Sequence, residues 1–360
     1  MSRFDAHPKE WSNDPRTHEL LSAELRATGR LLIQEIRARH FPTSFSRLLL
    51  QALRRPGKLL SKPLMQGHLI AEEERWLWPL LALLSAACAA SAQTSTLSTL
   101  PRAFWQRARS CAASVELLFA AADIFDDIQD SDNPYVERLG VPKAMSVGLS
   151  FLQLAHLLLG RTHCTGWTSD TAQAASDLVH NQLLASLGGQ FLDLHFEHIH
   201  TITEAQVLEM TGRKSGALLS LVCRLGALAG VETVQPKQPR YFEALGQFGW
   251  HLGVWRQLLN DLDDAQPVPV SAAKSDRQRK KKTLPLLLEQ QGLLGTRPQA
   301  RQQPLPSADS ALAYTAVAAE TFRLRAERLL QTIEQDFGPH SLLWPFLAVQ
   351  EEAPASANKN

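Results

Sequence analysis

The chain has 360 residues, of which 44% are apolar and 20% charged, with a formal net charge of +1. That length can bury a substantial core. The near-neutral balance excludes a general electrostatic pull toward nucleic acid or anionic membrane, so any charge-driven function must come from local clusters.

Residues 1–11 are polar and lack the apolar stretch of a secretory signal. From residue 19 onward apolar residues recur at helical spacing, which predicts helices over 22–39, 76–92, 103–128, 144–159, 169–187, 204–229, 240–264 and 311–337. Between 46 and 66, Arg47, Arg54, Arg55, Lys58 and Lys62 alternate with leucines. That pattern suits a membrane-surface or partner-binding helix, but a basic amphipathic helix packed on the domain is the plainer expectation. The apolar run 76–92 is broken by Pro79 and is too short for a membrane span, so a buried helix is expected. Loop signals fall at 131–142, 160–168, 230–239, 267–282 and 292–310. No strand pattern intervenes, and the fold class is all-α. The organisation expected is a helical appendage over 1–60, one helical domain over 61–350 and a disordered tail over 351–360. Cys88, Cys111, Cys164 and Cys223 are far apart and form no C-x-x-C pair. They read as buried thiols in a reducing cytosol, which makes the expected location cytoplasmic.

The feature that carries chemistry is Asp123-Ile-Phe-Asp126-Asp127-Ile-Gln-Asp130-Ser-Asp132, with five aspartates within ten residues at the end of an apolar helix. Aspartate is a poor helix former, and like charges at i,i+4 repel. At 100° per residue Asp126 and Asp130 share a face with Asp127 beside them, a patch of oxygens that suits Mg²⁺. A second cluster, Asn260, Asp261 and Asp264, repeats the i, i+1, i+4 spacing. Two such patches on facing helices could clamp a diphosphate through several Mg²⁺ ions while an apolar cavity shelters a developing carbocation. Two other signals are weaker. His195, His198 and His200 lack a third well-placed ligand, and Thr211-Gly212-Arg213-Lys214-Ser215 lacks the strand and glycine of a P-loop.

These motifs resemble the trans-isoprenyl diphosphate synthases, or polyprenyl synthetases. The family's D-D-x-x-D is matched by Asp126-Asp127-Ile-Gln-Asp130, and its F-Q-x-x-D-D-x-x-D by Arg256-Gln257-Leu-Leu-Asn260-Asp261-Leu-Asp263-Asp264. Gly189-Gln190-Phe-Leu-Asp193-Leu looks like G-Q-x-x-D-L, and Arg213-Lys214-Ser215-Gly216-Ala217-Leu218 like K-T-G-A-L. Ser275-Asp276 and Lys281-Lys282-Thr283-Leu284-Pro285 complete the order, with Lys280 where glycine is usual. The resemblance runs from about residue 65 to 340. It implies a single isoprenoid-synthase-like helical bundle with a central cavity, and a homodimer. It also implies that Asp126, Asp130 and Asp261 hold Mg²⁺, three ions with diphosphate bound, supported by Asp127, Asn260 and Asp264. Lys214 and Lys281 would contact the diphosphate of an allylic prenyl substrate, and Gln190 and Gln257 would lie near the reacting carbons. Neither a nucleic-acid partner nor stable membrane insertion is implied.

The departures bear on substrate. Chain-elongating members carry G-G-K-R-L-R-P to hold isopentenyl diphosphate, and here the aligned segment is Glu73-Glu74-Arg75-Trp76-Leu77-Trp78-Pro79. The R-R-G that follows the first aspartate motif falls on Tyr135-Val136-Glu137. A second diphosphate would lose most of its positive ligands, and indoles do not replace them. The expectation is ionisation of one allylic diphosphate, followed by cyclisation, quenching by water, or transfer to another acceptor such as an indole or a peptide side chain. Small residues at Ala121 and Ala122, just before Asp126, suggest room for a fifteen- or twenty-carbon tail. Two alternatives are a chain-elongating polyprenyl diphosphate synthase with a remodelled site and a non-catalytic regulatory subunit that keeps the fold.

Overall fold

Alanine and leucine cover two segments on all sides, and such helices belong at the centre of a bundle. In the computed structural model these are α3 (Trp78–Ser91) and α9 (Ala217–Ala229), whose side chains are almost all buried. The structure describes residues 15–61, 77–91, 97, 100–130, 134–161, 166–231, 238–265, 281–293, 308–338 and 341–348. Among them all regular structure is helical, as expected of an all-α chain. In chain order, α1 (Pro15–Arg37) and α2 (Thr43–Ala52) precede α3, and α4 (Arg102–Asp130), α5 (Pro134–Leu139), α6 (Val141–Gly160), α7 (Ser169–Phe196) and α8 (Glu204–Thr211) follow it. A π-helical turn, Gly212–Gly216, joins α8 to α9. Beyond α9 come α10 (Gln238–Ala265), α11 (Leu284–Leu293), α12 (Ala308–Phe337) and a 3₁₀ helix, Ser341–Leu347.

Close backbone approach fixes the centre. α9 lies against α3 at Gly226 and Gly230, where an added Cβ would come within 2.4 Å of the Ala82 carbonyl oxygen and 2.5 Å of that of Ala86. α3 and α6 pack on α4, and α12 backs α10 through Ala319, Phe322, Ala326, Leu330 and Ile333. α1 lies along α4 with Leu21, Leu25, Leu32 and Ile36 in the same continuous core, and Glu24 grips Arg109 through both carboxylate oxygens.

Four elements differ from the sequence expectation. The basic helix expected over 46–66 stops at Ala52, because Pro56 and Gly57, with φ +76°, turn the chain. Leu53, Leu59 and Leu60 then enter the core, and residues 62–66 lie outside the described residues. The loop expected over 131–142 contains α5, opened by Pro134, whose fixed φ suits a first helical position. α7 does not end at the glycine pair 188–189 but runs to Phe196, because the missing Cβ of Gly189 is needed for a helix crossing. The short helix α11, beyond the loop expected over 267–282, has no expectation behind it. Cys88, Cys111 and Cys223 are buried, and burial pushes the Cys111 and Cys223 thiols up to about 12. Cys164 and the tail 351–360 lie outside the described residues.

Candidate active site

α4, α7, the π-turn and α10 surround a cavity of about 710 Å³, and every wall contributes polar groups. On α4 the lining residues are Phe119, Ala122, Asp123, Phe125, Asp126, Gln129 and Asp130. Positions 119, 122, 126 and 130 follow helical phase: Ala122 lies 40° from Asp126, while Ala121 lies 140° away. Ala121 is accordingly fully buried and does not line the cavity, which corrects the expectation that it borders a substrate tail. Leu118 is likewise buried elsewhere, and Phe119 takes the place two turns before Asp126.

Asp126 and Asp127 part company for the same reason. Asp126 accepts a hydrogen bond from Lys214 Nζ at 3.0 Å. Asp127, 100° further round, pairs with Arg55 at 2.8 Å, and it does not line the cavity. Arg55 also lies over the Tyr135 ring, 4.9 Å from its centroid. One turn earlier Asp123 is paired with Lys58, and Glu116 on the same flank accepts the Leu59 N–H at 2.7 Å. The segment expected to be a packed basic helix thus docks on the aspartate helix through Arg55 and Lys58.

α7 brings Ser186, Leu187, Gln190 and Asp193 to the cavity. Gly189 sits so close to the π-turn that a Cβ there would lie 2.3 Å from the Lys214 amide nitrogen. Ser186 Oγ donates to the Lys214 carbonyl at 2.9 Å, so α7 fixes the backbone that carries this lysine. Lys214 Nζ donates to Asp193 at 2.8 Å as well as to Asp126, and Lys281 Nζ donates to Asp130 at 2.7 Å. Burial alone would lower the Lys214 ammonium, but Asp126 and Asp193 overcome it and hold the group above the ordinary lysine range. Lys281 is raised in the same way, burial opposing and Asp193 and Asp130 prevailing, with Lys214 working against them. Both lysines therefore stay cationic at neutral pH. Asp193 is one of the residues that sequence reasoning left without a role. Its signal was its place in the Gly189–Leu194 motif, and it is 95% shielded between the two lysines.

On α10 the cavity is lined by Gly253, Arg256, Gln257, Asn260, Asp261, Asp263 and Asp264. Ser215 Oγ donates to Gln257 Oε1 at 2.8 Å, and Gln257 Nε2 donates to the buried Asp261 at 2.9 Å, aligning a carboxylate one turn away. Gln190 donates to Gln129 at 2.9 Å across α7 and α4. Of the expected site residues, Asp126, Asp130, Gln190, Lys214, Gln257, Asn260, Asp261, Asp264, Lys281 and Ala122 meet at one cavity, whereas Asp127 and Ala121 face elsewhere. Asp123, Asp193 and Asp263 join them. Ser275, Asp276 and Lys280 lie outside the described residues.

The donor set suits a hard divalent cation, with oxygen ligands only, on two facing walls. Among the described residues no three His, Cys, Asp or Glu side chains converge into a closed ligand shell. Mg²⁺ asks for no such shell, since it takes one or two carboxylates and completes its octahedron from phosphate and water.

A sequence profile of the polyprenyl synthetase family matches residues 70–303, and the chain belongs to that family. A geranylgeranyl diphosphate synthase of Sulfolobus acidocaldarius is 29% identical over 163 residues, 44% of this chain and 48% of that protein. A tryptophan prenyltransferase, ComQ, of Bacillus subtilis subsp. natto is 30% identical over 152 residues, covering 42% and 43%. The chain thus spans about half the length of these curated relatives. A polyprenyl synthase from Caulobacter crescentus, solved with calcium and isoprenyl diphosphate, superposes with a TM-score of 0.66 at 19% identity, over 94% of this chain and 98% of that one. That likeness establishes the isoprenoid-synthase fold.

Proposed function

We propose that the protein ionises an allylic prenyl diphosphate of fifteen or twenty carbons and passes the prenyl group to an acceptor other than isopentenyl diphosphate. One observation carries the reading: two carboxylate-bearing helices, α4 and α10, face one cavity whose remaining polar walls hold Lys214 and Lys281. In this proposal Asp126 and Asp130 on one side and Asn260, Asp261 and Asp264 on the other hold Mg²⁺, three ions with diphosphate bound. When bound, the ions neutralise the departing pyrophosphate. Lys214 and Lys281 move from their carboxylates to the diphosphate oxygens as point charges. The deeper lining, Ala122, Phe125, Met210, Leu218 and Leu219, excludes water from the allylic cation.

The choice of acceptor follows from where positive charge is missing. Trp78 lines the cavity where chain-elongating members align an arginine, and Tyr135 stands where another would fall. The nearby cations Arg55 and Lys58 already meet Asp127 and Asp123. A second diphosphate would find no surplus positive charge there. The likeness to a tryptophan prenyltransferase favours transfer over cyclisation, and the intact metal walls favour catalysis over a purely regulatory role. The test is incubation with farnesyl or geranylgeranyl diphosphate and Mg²⁺, with and without isopentenyl diphosphate. Pyrophosphate release without chain elongation supports the reading, and longer prenyl diphosphates refute it.

The proposal includes a homodimer. α6 presents Val141, Met145, Leu149 and Leu157 outward, and α7 presents Leu184 and Phe191, these two each more than 60% exposed. Patches of this extent on a monomer mark interaction sites. α6 is also long and apolar enough by length and composition to cross a membrane, but α4 packs along it, and a second chain is the better partner for the exposed stripe. A monomeric mass in sedimentation at micromolar concentration would refute the dimer.

A further inference from the structure

Asp123 is a carboxylate in the cavity that the metal walls do not account for. It lies one helical turn before Asp126 on the same cavity wall. Its side chain is 45% exposed, while its partner Lys58 is 11% exposed, so a buried ammonium holds the carboxylate at the cavity surface. Lys58 engages Oδ2, and no other hydrogen bond or ion pair to Asp123 occurs among the described residues. Phe119, at i−4, shares its ridge, and the Phe119 and Trp78 rings lie 5.7 Å apart at 38°. The flank is therefore two aromatic rings bordering the cavity, with a single anchored hydrogen-bond acceptor beside them.

We propose that Asp123 receives the acceptor, its carboxylate taking the N–H of a neutral aromatic compound of the indole class whose ring lies against Trp78 and Phe119. The inference rests on the reading above, that an allylic diphosphate is ionised in the same cavity. A carboxylate repels a phosphorylated or carboxylated acceptor and has no proton to donate to a carbonyl. It accepts an N–H, and aromatic faces pack a planar ring. In the transfer, the C1–O bond of the allylic diphosphate breaks and its electron pair leaves with pyrophosphate. A carbon of the electron-rich ring forms the new C–C bond, and the cationic adduct releases its N–H proton along the hydrogen bond to Asp123, which returns it to solvent.

The experiment compares indole with 1-methylindole as acceptors, using farnesyl diphosphate and Mg²⁺ with the full-length protein, reading prenylated product by mass and pyrophosphate release in parallel. The wild type is expected to favour indole by roughly tenfold or more in kcat/KM, since a site built for an N–H rejects the analogue lacking it. Asp123→Ala is expected to bring that ratio to within about twofold. The ratio cancels any general loss of activity, and Asp123→Asn, whose amide oxygen still accepts, is expected to keep part of it. Equal use of both acceptors by the wild type, an undiminished ratio in Asp123→Ala, or pyrophosphate release with no indole product would each overturn the proposal. No pyrophosphate release at all from the wild type would instead overturn the underlying reading, and this inference with it.

Discussion

Asp126 and Asp127 are neighbours in sequence, yet one turns to Lys214 in the cavity and the other to Arg55 outside it. Their substitutions should therefore differ. Asp126→Asn is expected to lower kcat/KM for allylic diphosphate on the order of 10² to 10³-fold, because a charge-assisted contact in a desolvated site is worth 2–5 kcal/mol. Asp127→Asn is expected to stay within about fivefold while lowering the melting temperature, the behaviour of a peripheral ion pair. Steady-state assays of pyrophosphate release separate the two, and equal losses would contradict the assignment. Helix phase likewise leaves Ala122, and not Ala121, on the cavity wall. Ala122→Phe is expected to shift preference toward ten-carbon substrates in a competition assay, and an unchanged preference would remove Ala122 from the tail wall. At this scale the aspartates, Lys214 and Gln257 were legible because their spacing is chemical. Asp123, Asp193, Arg55 and Lys58 were not assigned, because their partners lie 21 to 88 residues away in sequence.

Among the elements, the π-turn is the one that sets the site. An extra residue in the helical turn at Gly212–Gly216 presents Lys214 to Asp126 and Asp193, in keeping with the frequency of such bulges at functional sites. Periodicity expected one continuous helix over 204–229, since a single π-turn hardly disturbs the apolar pattern. The helix expected over 169–187 falls short of its observed end for the opposite reason: the crossing that requires Gly189 is a tertiary fact, absent from local propensity. α10 and α12 show how packing also sets pH dependence. His251 on α10 meets Trp250 edge-on and Phe322 at a tilt, with Arg325 close by, and burial followed by that charge lowers it from 6.5 to about 4. The unfolded chain then binds more protons than the folded one between about 6.5 and about 4, so stability falls as pH drops through that window. His251→Gln is expected to flatten the fall in melting temperature over this range. A wild-type slope retained in the variant would show that other groups drive it.

For the whole molecule, the bundle brings carboxylates from α4 and α10, and lysines from the π-turn and the segment just before α11, to a single cavity backed by α3 and α9. The all-α class and most helices could be read from apolar period and the near absence of turn signals within them. The docking of residues 53–60 onto α4 could not, because it depends on ion pairs between segments with no shared pattern. The central claim is that the two carboxylate walls act together on one metal-bound diphosphate. Isothermal titration with an unreactive thiolodiphosphate analogue of farnesyl diphosphate tests it directly, comparing wild type, Asp126→Asn and Asp261→Asn with and without Mg²⁺. Binding that requires Mg²⁺ and weakens at least tenfold in either variant is the expected result. Equal affinity without the metal, or loss from only one wall, would contradict it.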